Sequence, residues 1–252
     1  MTETATRPTT RPTTRPAAAG RTTPPIQRQV VSFTAFKLDP AFRREPAEVK
    51  REAADEFADA CAGEKGMIVN GYSTVGLRGD CDLLFWRIDT EGSDRLQRHQ
   101  ATLNKTRLAG YLHTAHSFLS MTKRSQYIDK VDPFHSEESR INLLPGQRKY
   151  IFVYPFVKTR EWYLLPHEDR QAVMDEHIKA GNSYPSVKLN TTYSFGLDDQ
   201  EFVVAFETDV MKDFLDLVQD LRATQGSLYT LRDTPVLTGV RGEVRELLDQ
   251  MF

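Results

Sequence analysis

His177, Tyr154, Lys158 and Trp162 are the side chains of this sequence whose types and spacing could support metal or redox chemistry. His177 lies in PHEDRQAVMDEHIKAGNSYPS, close to where Gly181 should end a helix predicted over 167–180. A neutral imidazole is a good metal ligand, but the last turn of a helix also favours histidine through the dipole. Spacing alone leaves both readings open. YPFVKTREWYLLP gathers Tyr154, Lys158, Trp162 and Tyr163 within ten residues at the exit of a predicted strand. They could be an oxidisable phenol beside a cation able to hold a carboxylate, or core aromatics with a solvated rim charge.

The remaining candidates are weaker. His113 and His116, in LHTAHS, have a spacing that suits a metal on a helix, but they fall where a helix is expected to run out into a strand, and no carboxylate accompanies them. His135 and His167 stand in charged, loop-like surroundings and read as surface residues. Asp198 and Asp199 in GLDDQEFVVAFE could be a metal pair, but hairpin turn chemistry explains them more simply. Arg222 and Ser227, at the end of the last long helix, could bind an anion.

The elements that must position these groups follow from periodicity. QVVSFTAFKL reads as a strand, PAEVKREAADEFADACAGE as a helix, and MIVNGYSTVG and CDLLFWRID as strands. SDRLQRHQATLNKTRLAGYL then reads as a helix and HSFLSMTK as a strand. This β-α-β-β-α-β order is the ferredoxin-like unit. It repeats after a polar connector: KYIFVYPFV, the helix bearing His177, VKLNTTYSF, EFVVAFET, the helix VMKDFLDLVQDLRAT and the strand PVLTGVRG. The expected class is α+β, with two ferredoxin-like units in one subunit forming two sheets related by a pseudo-two-fold. The expected divisions are a leader at 1–28, units at 29–123 and 148–252, and a connector at 124–147. The leader repeats Arg-Pro-Thr-Thr with almost nothing large and apolar, so it is expected to be disordered.

Composition narrows the partners. Lys plus Arg number 33 against 35 acids, a formal charge of −2, which argues against a nucleic-acid binder. Cys61 and Cys81 form no zinc or disulfide pattern, no apolar run is long enough to span a bilayer, and no secretory signal is visible, so a cytoplasmic protein is expected.

YIFVYPFVKTREWYLLP, RQAVMDEHIKAGNSYPSVK, YSFGLDDQEFVVAFETD and LRDTP, in this order and at these separations, resemble the C-terminal half of chlorite dismutase-like proteins, a superfamily that includes chlorite dismutases and coproheme decarboxylases. The resemblance covers roughly Val30 to Val240. It implies a dimeric α-β barrel type of subunit, a homopentamer, and a bound haem b or iron coproporphyrin III in the second half.

On this resemblance His177 matches the proximal iron ligand, and Lys158 and Trp162 match the propionate edge of the pocket. Asn190 falls at the distal position, where chlorite dismutases carry arginine and many decarboxylases glutamine. Ser227 stands where a dismutase places glutamate behind its ligand. Tyr154 matches the tyrosine that oxidises propionates in the decarboxylases, and Arg222 and Ser227 match carboxylate contacts of that branch. An arginine of the decarboxylases aligns with Glu138, with Arg140 nearby. The resemblance therefore implies a coproheme decarboxylase that uses hydrogen peroxide through an iron-oxo and tyrosyl radical route. The rivals are a chlorite dismutase, a haem protein with weak peroxidase activity, and a haem-sensing module.

Overall fold

The computed structural model describes residues 27–62, 65–127 and 142–252. The expected leader is almost wholly outside these residues, as are His135, Glu138 and Arg140. The first half contains β1 (Val30–Leu38), α1 (Ala47–Ala60), β2 (Ile68–Ser73), β3 (Leu83–Asp89), α2 (Ser93–Leu103) and β4 (Leu112–Met121). The second contains β5 (Tyr150–Lys158), α3 (Arg160–Leu164), α4 (His167–Asn182), β6 (Lys188–Tyr193), β7 (Phe202–Thr208), α5 (Met211–Arg222), β8 (Thr230–Arg232), β9 (Leu237–Gly242) and α6 (Val244–Asp249).

Each half has the antiparallel strand order of a ferredoxin-like unit, β4-β1-β3-β2 and β9-β5-β7-β6. They are not two separate sheets, however. Gly71–Ser73 of β2 pair with Val240–Gly242 of β9, and Met121 of β4 pairs with Tyr193 of β6, so eight strands close into one barrel and β8 hangs on β5. Closure pairs the edge strands that each half-sheet would otherwise expose. At the first seam Gly71 faces Gly242, and a Cβ at either would come within 2.9 or 2.6 Å of Leu247 of α6. The two glycines let that leucine lie against the strands.

Alternation along each strand divides the core. Val31, Phe33, Leu84, Trp86, Ile151, Val153, Val203 and Ala205 fill the barrel, while Phe36, Phe85, Phe152 and Phe206 face the helices. Strands buried on both faces read as near-continuous apolar runs, which is why β3 and β7 stood out in the sequence. At one end of the barrel interior, fully buried Glu207 accepts hydrogen bonds from the backbone N–H of Gly146 at 2.7 Å and Gln147 at 3.1 Å. The expected second helix, 93–112, is broken. It stops at Leu103, a short 3-10 turn covers Leu108–Tyr111, and β4 begins at Leu112, so His113 and His116 lie within a strand. The helix bearing His177 runs through Gly181 to Asn182, and α3, β8 and α6 have no counterpart in the sequence reading.

Candidate functional site

The helix-side face of the second half-sheet carries Phe152, Tyr154, Phe156 and Lys158 on β5, with Val204 and Phe206 beside them on β7. α5 covers part of this face, where the Phe214 ring stacks on Phe152 with centroids 3.9 Å apart and meets Phe206 at 5.1 Å. α4 packs on α5 and on the turn Gln225–Tyr229, with no strand among its main neighbours. Of its own sixteen residues only Gln171 and Val173 are buried. The sheet face retains half-buried Tyr154 and a Leu189 that is 51% exposed.

His177 lies on α4 against the 225–229 turn. A Cβ on Gly226 would stand 3.6 Å from its Nδ1, so glycine lets the backbone come up close behind the ring. The imidazole makes no hydrogen bond or ion pair with the described residues. Burial, and then the nearby Lys158 cation, push its pKa down to about 4, leaving a neutral ring at neutral pH. The Lys158 Nζ donates to the Gly226 carbonyl at 3.2 Å and sits 4.5 Å from the centroid of the buried Trp162 ring. Burial lowers its pKa to about 8, with Glu201 opposing the shift. Trp162 is in turn flanked by Tyr229, at 5.4 Å between centroids, and Tyr127, at 6.2 Å.

Tyr154 also has no hydrogen bond to the described residues. Burial raises its phenol pKa above the ordinary value; the Asp233 carboxylate adds to the shift and Arg222 opposes it. Arg222, the last residue of α5, is ion-paired with Asp233 rather than free for a ligand carboxylate. Ser227 points its hydroxyl back at the Thr224 carbonyl, donating at 2.8 Å. His177, Lys158, Gly226 and Trp162 thus form one cluster, and Tyr154, Arg222 and Asp233 another, both on the helix side of the sheet.

Asn190 belongs to neither. It pairs with Ala205, whose side chain fills the barrel, and it is itself buried, donating from Nδ2 to Glu207 at 3.2 Å. The helix-side position is Leu189, opposite Phe206. The Asn190 side chain, expected at the distal position, thus points into the barrel and away from His177's side of the sheet, because one step along a strand reverses the face. Replacing Asn190 with Ala is expected to lower stability by about 1 kcal/mol while leaving the spectrum of added porphyrin unchanged. Urea denaturation and a haem titration check the two halves of this expectation.

Glu201 was not singled out in the sequence, where it read only as the start of a strand. Nearly buried, it accepts hydrogen bonds from the Lys158 backbone N–H at 2.8 Å and the Tyr163 hydroxyl at 2.5 Å, with Arg160 at 3.5 Å. It fixes the corner between β5 and α3 from which Lys158 and Trp162 project. Glu201→Gln should cost about 1–2 kcal/mol, read as a lower denaturation midpoint, because charge-assisted bonds become neutral ones. Asp198 has a turn role, accepting from Leu119 N–H and from Gln200 at 2.8 and 2.9 Å. His113 and His116 meet different carboxylates, Asp39 and Asp80, and His167 stacks on Tyr127.

The residues present fit a haem-type group: a neutral imidazole with no hydrogen-bond partner among the described residues, a lysine able to hold a carboxylate, a buried tryptophan and uncovered apolar surface. Among the described residues no group of three or more His, Cys, Asp or Glu could hold a bare metal ion, and no helix is long and apolar enough to cross a membrane.

Comparison with known proteins agrees. The chlorite dismutase family model matches residues 49–242. The chain is 33% identical over 214 residues to a coproheme decarboxylase of Mycolicibacterium smegmatis, covering 82% of this chain and 89% of that one. It superimposes on a mutant chlorite dismutase of Candidatus Nitrospira defluvii with a TM-score of 0.80 and 27% identity, covering 88% and 95% of the two chains. A structure of chlorite dismutase from the same organism in complex with imidazole gives a TM-score of 0.78, again with 27% identity, over 88% and 94%. The doubled fold, the neutral histidine and these matches together make the chain a member of the chlorite dismutase family, a family of haem-dependent enzymes.

Proposed function

We propose that this protein is a coproheme decarboxylase, converting iron coproporphyrin III to haem b at the expense of hydrogen peroxide. The observation that carries the reading is Tyr154, a phenol with no hydrogen-bond partner among the described residues, on the same side of the sheet as His177 and Lys158. The 33% identity to the mycobacterial coproheme decarboxylase supports it. Leu189 on the helix-side face supports it over chlorite chemistry, because a leucine offers no cation to steer an oxyanion.

In this reading His177 donates its ring lone pair to iron, and its low basicity keeps it available for that role well below neutral pH. Lys158, charged at neutral pH, holds a propionate carboxylate, with Trp162 as the wall behind it. Ser227 takes a further carboxylate once it exchanges its present partner, the Thr224 carbonyl, and Arg222, still paired with Asp233, offers its remaining N–H groups to another. Bound iron, with peroxide, supplies the oxidising equivalents. The Tyr154 hydroxyl is the group that gives up and regains a hydrogen. Burial disfavours its phenolate, so it loses proton and electron together and becomes a neutral phenoxyl radical. That radical takes a hydrogen atom from a propionate β-carbon. The proposal includes a five-membered ring of subunits in the cytoplasm; two buried free thiols, Cys61 and Cys81, fit a reducing compartment.

The test is to mix the protein with iron coproporphyrin III and peroxide and follow mono- and divinyl products by mass spectrometry. Vinyl products are expected. Oxygen release from chlorite without vinyl products would replace this reading with a chlorite dismutase, and binding without either turnover would leave a haem carrier or sensor.

A further inference from the structure

Oxidising a phenol needs somewhere for its proton to go, and Tyr154 hydrogen-bonds to no base among the described residues. The strand register shows which group is near. Val157 of β5 lies opposite Arg232 of β8, and Val153 lies opposite Leu237 of β9, so residues 233–236 bridge these two pairings past Tyr154–Phe156. Asp233 directly follows Arg232 and so enters this stretch at its Val157 end, next to Phe156, whose side chain is on the helix side with that of Tyr154. The Asp233 carboxylate is ion-paired there with Arg222 at the end of α5. Arg232, one residue earlier, reaches instead for the carbonyl of Asp199. We propose that Asp233 is the proton acceptor for Tyr154 during its oxidation, with Arg222 keeping the carboxylate ionised and turned toward the helix side.

Several observations favour Asp233. Its charge, and after it that of Arg222, act on the Tyr154 phenol once burial is counted. A second carboxylate near this end of β5, Glu201, is engaged with the Lys158 backbone, Tyr163 and Arg160. Lys158 itself, four residues along the strand, is a cation and cannot take a proton while charged. An ion-paired carboxylate is a weak base, but a phenol that has lost an electron is so strong an acid that a weak base suffices.

This inference rests on the decarboxylase reading for its chemistry. The oxidant is hydrogen peroxide activated at the bound iron. One electron leaves Tyr154, its O–H bond breaks, and the proton forms a bond to an Asp233 carboxylate oxygen. The phenoxyl radical takes a hydrogen atom from the propionate β-carbon and so regains its O–H. The substrate radical gives a second electron to the same oxidant, and its bond to the carboxylate carbon breaks, leaving a vinyl group and carbon dioxide. Peroxide accepts two electrons and two protons, the Asp233 proton being one of them, and leaves as two waters. The balance per vinyl group is one propionate, one peroxide and one further proton consumed.

Two experiments test the assignment. In the porphyrin-free protein, Tyr154 ionisation is read from carbon-13-labelled tyrosine spectra, with Tyr154→Phe identifying the resonance. Asp233→Asn should bring that ionisation to lower pH, because the repelling carboxylate is gone. This arm needs no turnover, so it stands apart from the fate of the decarboxylase reading. In the porphyrin-loaded protein, freeze-quenched radical after peroxide should fall about a hundredfold in Asp233→Asn and recover in part in Asp233→Glu, as expected for loss and return of a general base. An unmoved Tyr154 ionisation in Asp233→Asn would show the two groups do not meet, and wild-type radical yield in that variant would hand the proton to water; either result overturns the proposal. Absence of vinyl products in the wild type, with the ionisation shift present, would sink the decarboxylase reading and leave the contact between the two residues standing.

Discussion

Replacing His177 with alanine should abolish the ligand signature of added haem or coproheme in the visible spectrum, with affinity lowered by more than about a hundredfold. Losing a hydrogen-bond partner of a metal ligand already costs about 10–100-fold, and here the ligand itself is lost. The fold should survive. His177 bonds to no described residue and is only partly buried, so stability at pH 7 should change by no more than about 1 kcal/mol. Imidazole added to the variant should restore part of the spectrum. Unchanged binding in His177→Ala would remove the histidine from the site altogether.

Acid supplies a second reading of the same residue. Burial holds the folded-state pKa at about 4 against 6.5 for the free side chain, so between these values the unfolded chain binds a proton that the folded one does not. Stability therefore rises with pH across that window and is lost on acidification. Above pH 6.5 the group is neutral in both states and its contribution is flat. His177→Ala should lack this component, so the difference between variant and wild-type denaturation midpoints should narrow or reverse from pH 7 toward pH 4. A wild-type midpoint that fell no faster than the variant's would place the ring in water.

How legible these features were in the sequence depended on whether a local pattern fixed them. Strands β1, β3 and β7 are buried on both faces and β5 on its barrel face, and their apolar runs announced them. The helix of His177 was equally plain, down to a two-residue error at its end. The barrel seams were not visible, because pairing β2 with β9 and β4 with β6 is a long-range matter that no local periodicity encodes. Asn190 shows the cost of an ambiguous alternation. In VKLNTTYSF polar and apolar residues fall on both faces, so only the register against Phe206 and Ala205 shows that Leu189 looks outward and Asn190 inward. Glu201 and Asp233 act through partners 38–43 and 11 residues away, which spacing cannot reveal. The early stop of α2 is different in kind: Asn104 caps a helix whose predicted continuation, NKTRLAGY, forms turns and a 3-10 segment before Leu112 enters the sheet.

Tyr154→Phe should separate binding from chemistry. Phenylalanine keeps the ring that lies 6.0 Å from Phe206 between centroids and removes only an oxygen that bonds to no described residue, so coproheme affinity should stay within about twofold. Vinyl formation should nevertheless fall by at least about a hundredfold, because the hydrogen-accepting oxygen is gone and no other group is assigned to that step. The loss should appear in the turnover rate and not in the half-saturating porphyrin concentration, as expected when an interaction made only during reaction is removed. Substitution at Lys158 should do the opposite: Lys158→Met keeps an apolar stem against Trp162 but removes the cation, weakening porphyrin binding before it slows the bound complex. The contrast distinguishes a phenol that reacts from one that packs. If Tyr154→Phe formed vinyl products at the native rate, the hydrogen-transfer role would pass to another residue, and the proton path through Asp233 would lose its purpose with it.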